Sequence, residues 1–259
     1  MVMEQHHYWH EGPLASFDTE TTGVDVESDR VVSAALVVQA APGSAAERRT
    51  WLADPGIAIP DGARAVHGIT DEHVRAFGRP PHTVVGEIAR ALADQARAGV
   101  PVVVMNAPYD LTLLDRELRR HRESSLEEFL DGAALLVVDP RVLDKHVDRY
   151  RRGRRTLTDL CAHYGVSLEG AHDAAADATA SLELVRAIGA RHRAALGGFS
   201  AAELHLRQGV WHAAQARGLQ DWFDRSGTPE RVDRSWPLRP VRCACGHRLT
   251  SGHSCEAAA

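Results

Sequence analysis

Lysine is nearly absent from this chain: of 30 basic residues Lys145 is the single lysine, and the rest are arginine. With the abundance of alanine, that skew points to GC-rich coding, so arginine content alone is no sign of a polyanion-binding surface. Net positive charge is missing as well. A formal balance of -5 at pH 7 excludes global attraction to nucleic acid and leaves local patches or bound cations to supply it. No run approaches the roughly 20 apolar residues that span a bilayer. Residues 1–10 are polar, with histidines and Trp9 where a signal peptide has an apolar core. No membrane partner is therefore expected, and the expected location is cytoplasmic. Cysteine is scarce: Cys161 stands alone, and Cys243, Cys245 and Cys255 cluster near the end. That is no disulfide framework for a chain this long, and leaves reduced thiols or a metal knot.

What is present suffices for a sizeable core: 259 residues, 44% of them hydrophobic, make one large domain with an appendage, or two small ones. Leu14 to Asp18, the Val-rich Arg30 to Gln39 and Glu47 to Ala53 read as three consecutive strands with short connections, which favours an antiparallel meander. His82 to Ala98 carries the apolar spacing of an amphipathic helix, closed by Gly99, and Val100 to Met105 reads as a short strand. A helix over Tyr109 to His121 and a strand over Ala133 to Val138 follow. Thr156 has the character of an N-cap for a helix through Tyr164, with Gly165 as its stop. Ala-rich sequence predicts one long helix from Asp173 to Leu196, and Ser200 to Asp224 a second helical segment beyond Gly197-Gly198.

Three acidic stretches fall at informative places: Asp18-Thr19-Glu20-Thr21-Thr22-Gly23 at the end of the first strand, Asn106-Ala107-Pro108-Tyr109-Asp110 at a strand-to-helix passage, and His172 five positions before Asp177 at the start of the last long helix. Asp18 and Glu20 lie two apart on extended backbone, so their carboxylates share a face and can reach one metal. Four carboxylates gathered in one cleft repel one another and call for divalent cations. All-oxygen donors suit Mg²⁺ or Mn²⁺ over zinc.

In this order and spacing the three stretches resemble the motifs of the DEDDh 3′–5′ exonucleases, the class of the epsilon proofreading subunit of bacterial DNA polymerase III. Val66-His67-Gly68-Ile69-Thr70 resembles a segment between the first and second motifs of that class. The resemblance runs from about Leu14 to Ala195. It implies an RNase H-like α/β fold: a mixed five-stranded sheet, three antiparallel strands first, flanked by helices. By the same resemblance Asp18, Glu20 and Asp177 hold one ion, Asp18 and Asp110 hold a second, and His172 takes a proton from the attacking water. Thr19, Thr22 and Val24 border the nucleotide, His67 lies beside it, and Asn106 and Tyr109 belong to the substrate side of the second motif. The implied substrate is a nucleic-acid 3′ end, single-stranded or frayed, most readily DNA, in the company of a polymerase or a repair complex. The alternatives are an exoribonuclease that trims RNA, and a nucleic-acid or protein-binding module with a vestigial site.

Plainer roles exist for several of these residues. Asp18 and Glu20 suit a turn, Asp110 and Asp173 suit helix caps, and Tyr109 suits the core. Arg149-Tyr150-Arg151-Arg152-Gly153-Arg154-Arg155 is the densest basic run; it reads as a solvated face or as a phosphate-contacting loop. Cys243, Cys245, His247, His253 and Cys255 supply enough ligands for one structural Zn²⁺, although C-x-C is tighter than the usual knuckle spacing. The expected organisation is an exonuclease domain over 1–198, a helical extension over 199–226 and a tail over 227–259.

Overall fold

The computed structural model describes residues 8–241, so Cys243, Cys245, His247, His253 and Cys255 lie outside the described residues. Five strands form one mixed sheet in the order β3-β2-β1-β4-β5. β1 (Leu14–Thr21), β2 (Val31–Gln39) and β3 (Ala46–Leu52) are the antiparallel meander. β4 (Val102–Val103) and β5 (Val137–Val138) add in parallel on the other side of β1. This is the expected RNase H-like arrangement. The apolar runs 100–105 and 133–138 contribute only two paired residues each. Asn106, at φ 62, turns the chain out of the sheet directly after the first run.

Alternation along β1 sorts its side chains. Ala15 and Phe17 belong to a core shared with α3 (Pro81–Arg97), α4 (Asp110–Arg122) and α5 (Leu126–Leu130). Leu14 belongs to a core on the opposite face, shared with α7 (Leu157–Tyr164) and α8 (Ala174–Arg191). With a side-chain period of two, Asp18 and Glu20 follow Leu14 toward α8, and Thr19 follows Phe17 toward α4. The C-terminal end of β1 thus sends side chains to both faces of the sheet.

The helix caps account for most boundaries. Thr156 accepts from the Asp159 amide, and Gly165 ends α7 at φ 71, as the sequence predicts. The helix expected over 173–196 is broken at His192. α8 stops there, a short α9 (Arg193–Leu196) follows, and the Leu196 carbonyl accepts from the Trp9 indole at 3.0 Å. Four helices were not expected: α1 (Asp61–His67), α2 (Asp71–Phe77), α5 and α6 (Pro140–Val147). The first two are short and bury almost nothing, Val74 alone between them, so no apolar stripe announces them. The others carry cap signals, the Ser125/Glu128 capping box and Asp139 before Pro140.

α10 (Ala201–Ser226) opens with a Ser200/Glu203 capping box and packs on α6 and β5. It closes the open edge of the sheet with side chains. His205 Nδ1 accepts from the Val137 amide at 3.0 Å, Gln208 Nε2 donates to the Val137 carbonyl at 3.0 Å, and Gln208 Oε1 accepts from the Asp139 amide at 2.7 Å. An edge strand otherwise leaves such groups unpaired. Leu204 is fully buried beside them, which contributes about 1.5–3 kcal/mol. Gln208→Met, similar in size but without hydrogen bonds, is expected to cost about 2 kcal/mol or more through the stranded Val137 carbonyl and Asp139 amide. Thermal unfolding checks this, with Leu206→Gln on the exposed side of the same helix as the silent control. Equal melting temperatures for the two variants would refute the edge-sealing role. Beyond α10, Trp236 and Leu238 pack against the α3/α4 core, and the Arg239 amide donates to Thr112 Oγ at 3.0 Å.

Candidate active site

At the C-terminal end of β1 the first acidic stretch is locked by its own loop. Thr22 Oγ donates to Asp29 Oδ1 at 2.8 Å and accepts from the Arg30 amide at 3.0 Å. The Gly23 carbonyl accepts from Thr21 Oγ at 2.7 Å and from the Tyr109 hydroxyl. A Cβ at Gly23 would sit 2.6 Å from Asp29 Oδ2, so any larger residue would displace the Asp29 carboxylate that holds Thr22. Tyr109 is half-buried against the α3/α4 core, and burial pushes its hydroxyl up to about 12. Its place is a latch between the first and second motifs.

Thr19 Oγ donates to Asp110 Oδ1 at 2.6 Å, tying β1 to the first turn of α4. The turn before Asp110 is held by a residue the sequence reading passed over. The Asp139 carboxylate, buried, accepts from the amides of Asn106 at 3.2 Å and Ala107 at 3.0 Å while also capping α6. The Asn106 side-chain oxygen is engaged by Arg141 at 2.8 Å. An Asp directly before Pro140 was the available signal for Asp139.

On the opposite wall Asp173 caps α8, and Asp177 lies in its first turn. The His172 amide points at both Asp177 oxygens at 3.3 Å, from a left-handed backbone at φ 68. A ring nitrogen of exposed His172 and carboxylate oxygens of Glu20 and Asp177 all lie within 4.8 Å of one another. Asp18 and Asp110 stand outside that tight group but inside its field. Asp18, half-buried, is pushed well above the usual carboxylate range by burial first, then by Asp110, Asp177, Glu20 and Asp173. Glu20 rises to about 8, through burial and then Asp177, Asp110 and Asp173. Asp110 rises to about 7 through burial, against the pull of Thr19. Burial raises Asp177 too, opposed by the His172 amide.

The charges of Asp110, Asp177 and Glu20 thus reach Asp18, and those of Asp177 and Asp110 reach Glu20, so the four carboxylates expected to converge lie within electrostatic range of one another. A cluster of hard oxygen donors that resists ionisation on its own is a fit for a divalent cation. Among the residues expected to border a nucleotide, Val24 is 88% exposed beside the Gly23 turn. His67 ends α1 with Nδ1 accepting from the Ile69 amide, and its affinity for protons is lowered by burial and by nearby His172. In the Arg149–Arg155 run the structure separates the residues. Arg151 and Arg155 are paired with buried Asp144, at 3.2 and 2.6 Å, so these two are not the free phosphate ligands the run suggests.

Comparison with known proteins places this geometry. The exonuclease family of RNase T type matches residues 16–185, and the chain belongs to that family. It is 29% identical over 181 residues to the DNA polymerase III subunit epsilon of Treponema pallidum, covering 69% of this chain and 77% of that protein. It is 29% identical over 187 residues to the uncharacterized exonuclease CP81 of Escherichia phage 186, covering 70% and 90%. Exonuclease I has a similar fold, with a TM-score of 0.60 at 18% identity, across 71% of this chain and 42% of that one. The E. coli enzyme bound to a dT13 oligonucleotide gives a TM-score of 0.58 at 18% identity. The chain spans less than half the length of these exonuclease I chains. The protein is thus a hydrolytic exonuclease by family. Among the described residues no helix is long and apolar enough to cross a membrane.

Proposed function

We propose that the protein removes nucleotides from the 3′ end of DNA, single-stranded or frayed, and releases nucleoside 5′-monophosphates. The observation that supports this most is the grouping of Glu20, Asp177 and a His172 ring nitrogen within 4.8 Å of one another, with the charges of Asp110 and Asp177 close enough to raise both Asp18 and Glu20. Asp18, Glu20 and Asp177 would hold one cation, and Asp18 with Asp110 a second. Mg²⁺ or Mn²⁺ held there supplies a more acidic water and neutralises charge on the departing 3′ oxygen. His172 accepts the proton of the attacking water. The water oxygen bonds to phosphorus as the bond from phosphorus to the 3′ oxygen breaks; that oxygen takes a proton from solvent water, and His172 returns its own proton to solvent.

Thr19 fixes the Asp110 carboxylate toward the cleft, and the Asp139 clasp on Asn106 and Ala107 keeps the Asp110 turn in place. Tyr109 holds the Gly23 loop, which presents exposed Val24 as an apolar edge for the terminal base, with His67 against the Thr21 backbone. Polymerase proofreading and stand-alone repair both use such chemistry, and the epsilon similarity favours work beside a polymerase. The tail cysteines and histidines would bind Zn²⁺ apart from this chemistry.

The test uses strands of DNA and of RNA labelled at the 5′ end and at the 3′ end, with Mg²⁺, Mn²⁺ or EDTA. A descending ladder from the 5′ label, immediate mononucleotide from the 3′ label, and silence in EDTA are expected, with DNA degraded faster than RNA. Cleavage that persists in EDTA or begins at the 5′ end rules the proposal out.

A further inference from the structure

The loop between α6 and α7 is split by its anchoring. Asp144, fully buried, accepts from Arg151 at 3.2 Å, from Arg155 at 2.6 Å and from the Tyr164 hydroxyl at 3.0 Å. Arg151 also donates to the Arg154 carbonyl at 3.0 Å, and Arg155 to the Asp148 carbonyl at 2.7 Å. The loop backbone is thus clamped from inside at both ends. The intervening residues Arg149, Tyr150, Arg152 and Arg154 all face solvent. The three arginines make no ion pair among the described residues. Tyr150 is 84% exposed, an unusual setting for a tyrosine, with the Arg149 guanidinium over its ring at 5.6 Å.

Cations are crowded here in a chain of net charge -5. Lys145 is held below its usual range by partial burial and then by Arg155, Arg149 and Arg151. Aromatic faces interleaved with arginine, on a backbone that does not have to be ordered on binding, are what a single nucleic-acid strand recognises: bases stack, phosphates pair. The loop is also within reach of the cleft. α6 has eight residues, about 12 Å at 1.5 Å per residue, and it starts at the Asp139 clasp on the Asp110 turn. At the other end α7 brings Cys161 into the field of Asp177.

We infer that Arg149, Tyr150, Arg152 and Arg154 form an accessory contact for a single nucleic-acid strand, upstream of the nucleotide being removed. This rests on the exonuclease reading for the strand's direction, not for its binding. Binding of a fluorescein-labelled long oligothymidylate is measured by anisotropy with the full chain in EDTA, and hydrolysis of the same strand and of a trinucleotide is measured in Mg²⁺. Tyr150→Ala is expected to weaken the long strand about tenfold in affinity and in KM. Turnover number and trinucleotide hydrolysis stay unchanged. The triple variant Arg149→Ala, Arg152→Ala, Arg154→Ala lowers the slope of log affinity against log salt by about 0.7 per lost phosphate contact, near 2 in all.

The substituted side chains are exposed and the Asp144 anchors are untouched, so the fold is preserved; unchanged melting checks it. Long-strand binding and salt slope that match the wild type overturn the inference, as does a loss shared equally by the trinucleotide. A wild type that hydrolyses neither substrate refutes the proposed function instead, while the anisotropy still decides the loop. A synthetic polyglutamate that competes as well as DNA would reassign the surface to an acidic protein and overturn the strand assignment.

Discussion

Asp18→Asn is expected to abolish nuclease activity, by about a thousandfold or more, and at the same time to make the metal-free protein more stable. Asp18 is the carboxylate assigned to both ions, so its loss removes several kcal/mol of transition-state stabilisation, and every 1.36 kcal/mol is tenfold in rate. The stability half follows from the like charges around it. Burial first, and then Asp110, Asp177 and Glu20, push Asp18 upward, so its ionisation in the folded chain costs free energy that a neutral amide at this position does not. A carboxylate whose folded value is raised retains its proton after the unfolded chain has released its own. Between pH about 4, the unfolded value, and about 7 for Asp110 or 8 for Glu20, the folded state binds more protons than the unfolded one. The stability of metal-free protein therefore falls as pH rises through that window, and is fully present only below it. Removing one of the four charges flattens the fall.

In EDTA the melting temperature of Asp18→Asn should exceed that of the wild type at pH 8, with about 2–4 °C for each kcal/mol of repulsion relieved. The two should converge near pH 4. Saturating Mg²⁺ should reverse the order, because the wild type gains more from binding. A variant that melts below the wild type in EDTA across the whole range would mean that the carboxylates do not share a cleft.

That cleft was legible because its logic is local. The spacing in Asp18-Thr19-Glu20 sets two carboxylates on one face, and His172 and Asp177 are a turn apart at a helix start. The residues between were less readable. Thr19 was expected to border the nucleotide; that its side chain points to the other face of β1 and holds Asp110 is a contact spanning 91 positions, which no local pattern reveals. Asp139 escaped notice for the same reason: its partners Asn106 and Ala107 lie more than 30 positions away. α10 was expected as a helix, and its capping box explains why. That His205 and Gln208 would substitute for a missing strand could not be read from a polar pair at positions three apart. The arginine run misled in part, since composition cannot distinguish an arginine aimed at solvent from one aimed at a buried aspartate. Asp144 is seven positions upstream of Arg151 and eleven of Arg155, and reads simply as a helix residue.

Asp144 carries the second large effect. Asp144→Ala is expected to destabilise the protein by about 3–5 kcal/mol, because removing one partner leaves the others buried without a counterion. Arg151 and Arg155 are only 10% and 12% exposed in their side chains, against 0% for Asp144, so neither can simply turn into water. The Tyr164 hydroxyl loses its acceptor as well, and His192 at 3.3 Å is its one remaining contact. Asp144→Asn keeps an acceptor oxygen and should cost less, which separates lost charge from lost hydrogen bonding. The double variant Asp144→Ala, Arg155→Ala should recover part of the loss, since one of the stranded cations is gone. Denaturant unfolding of the wild type, Asp144→Ala, Arg155→Ala and the double variant measures the coupling; a cost below about 1 kcal/mol for Asp144→Ala would place the cluster with ordinary surface pairs. The same substitution reaches function by a route that stability alone does not. With the clamp gone, Arg149, Tyr150, Arg152 and Arg154 sit on a backbone that must be ordered each time a strand binds, so long-strand affinity should drop at temperatures where the variant is still folded, while trinucleotide turnover holds.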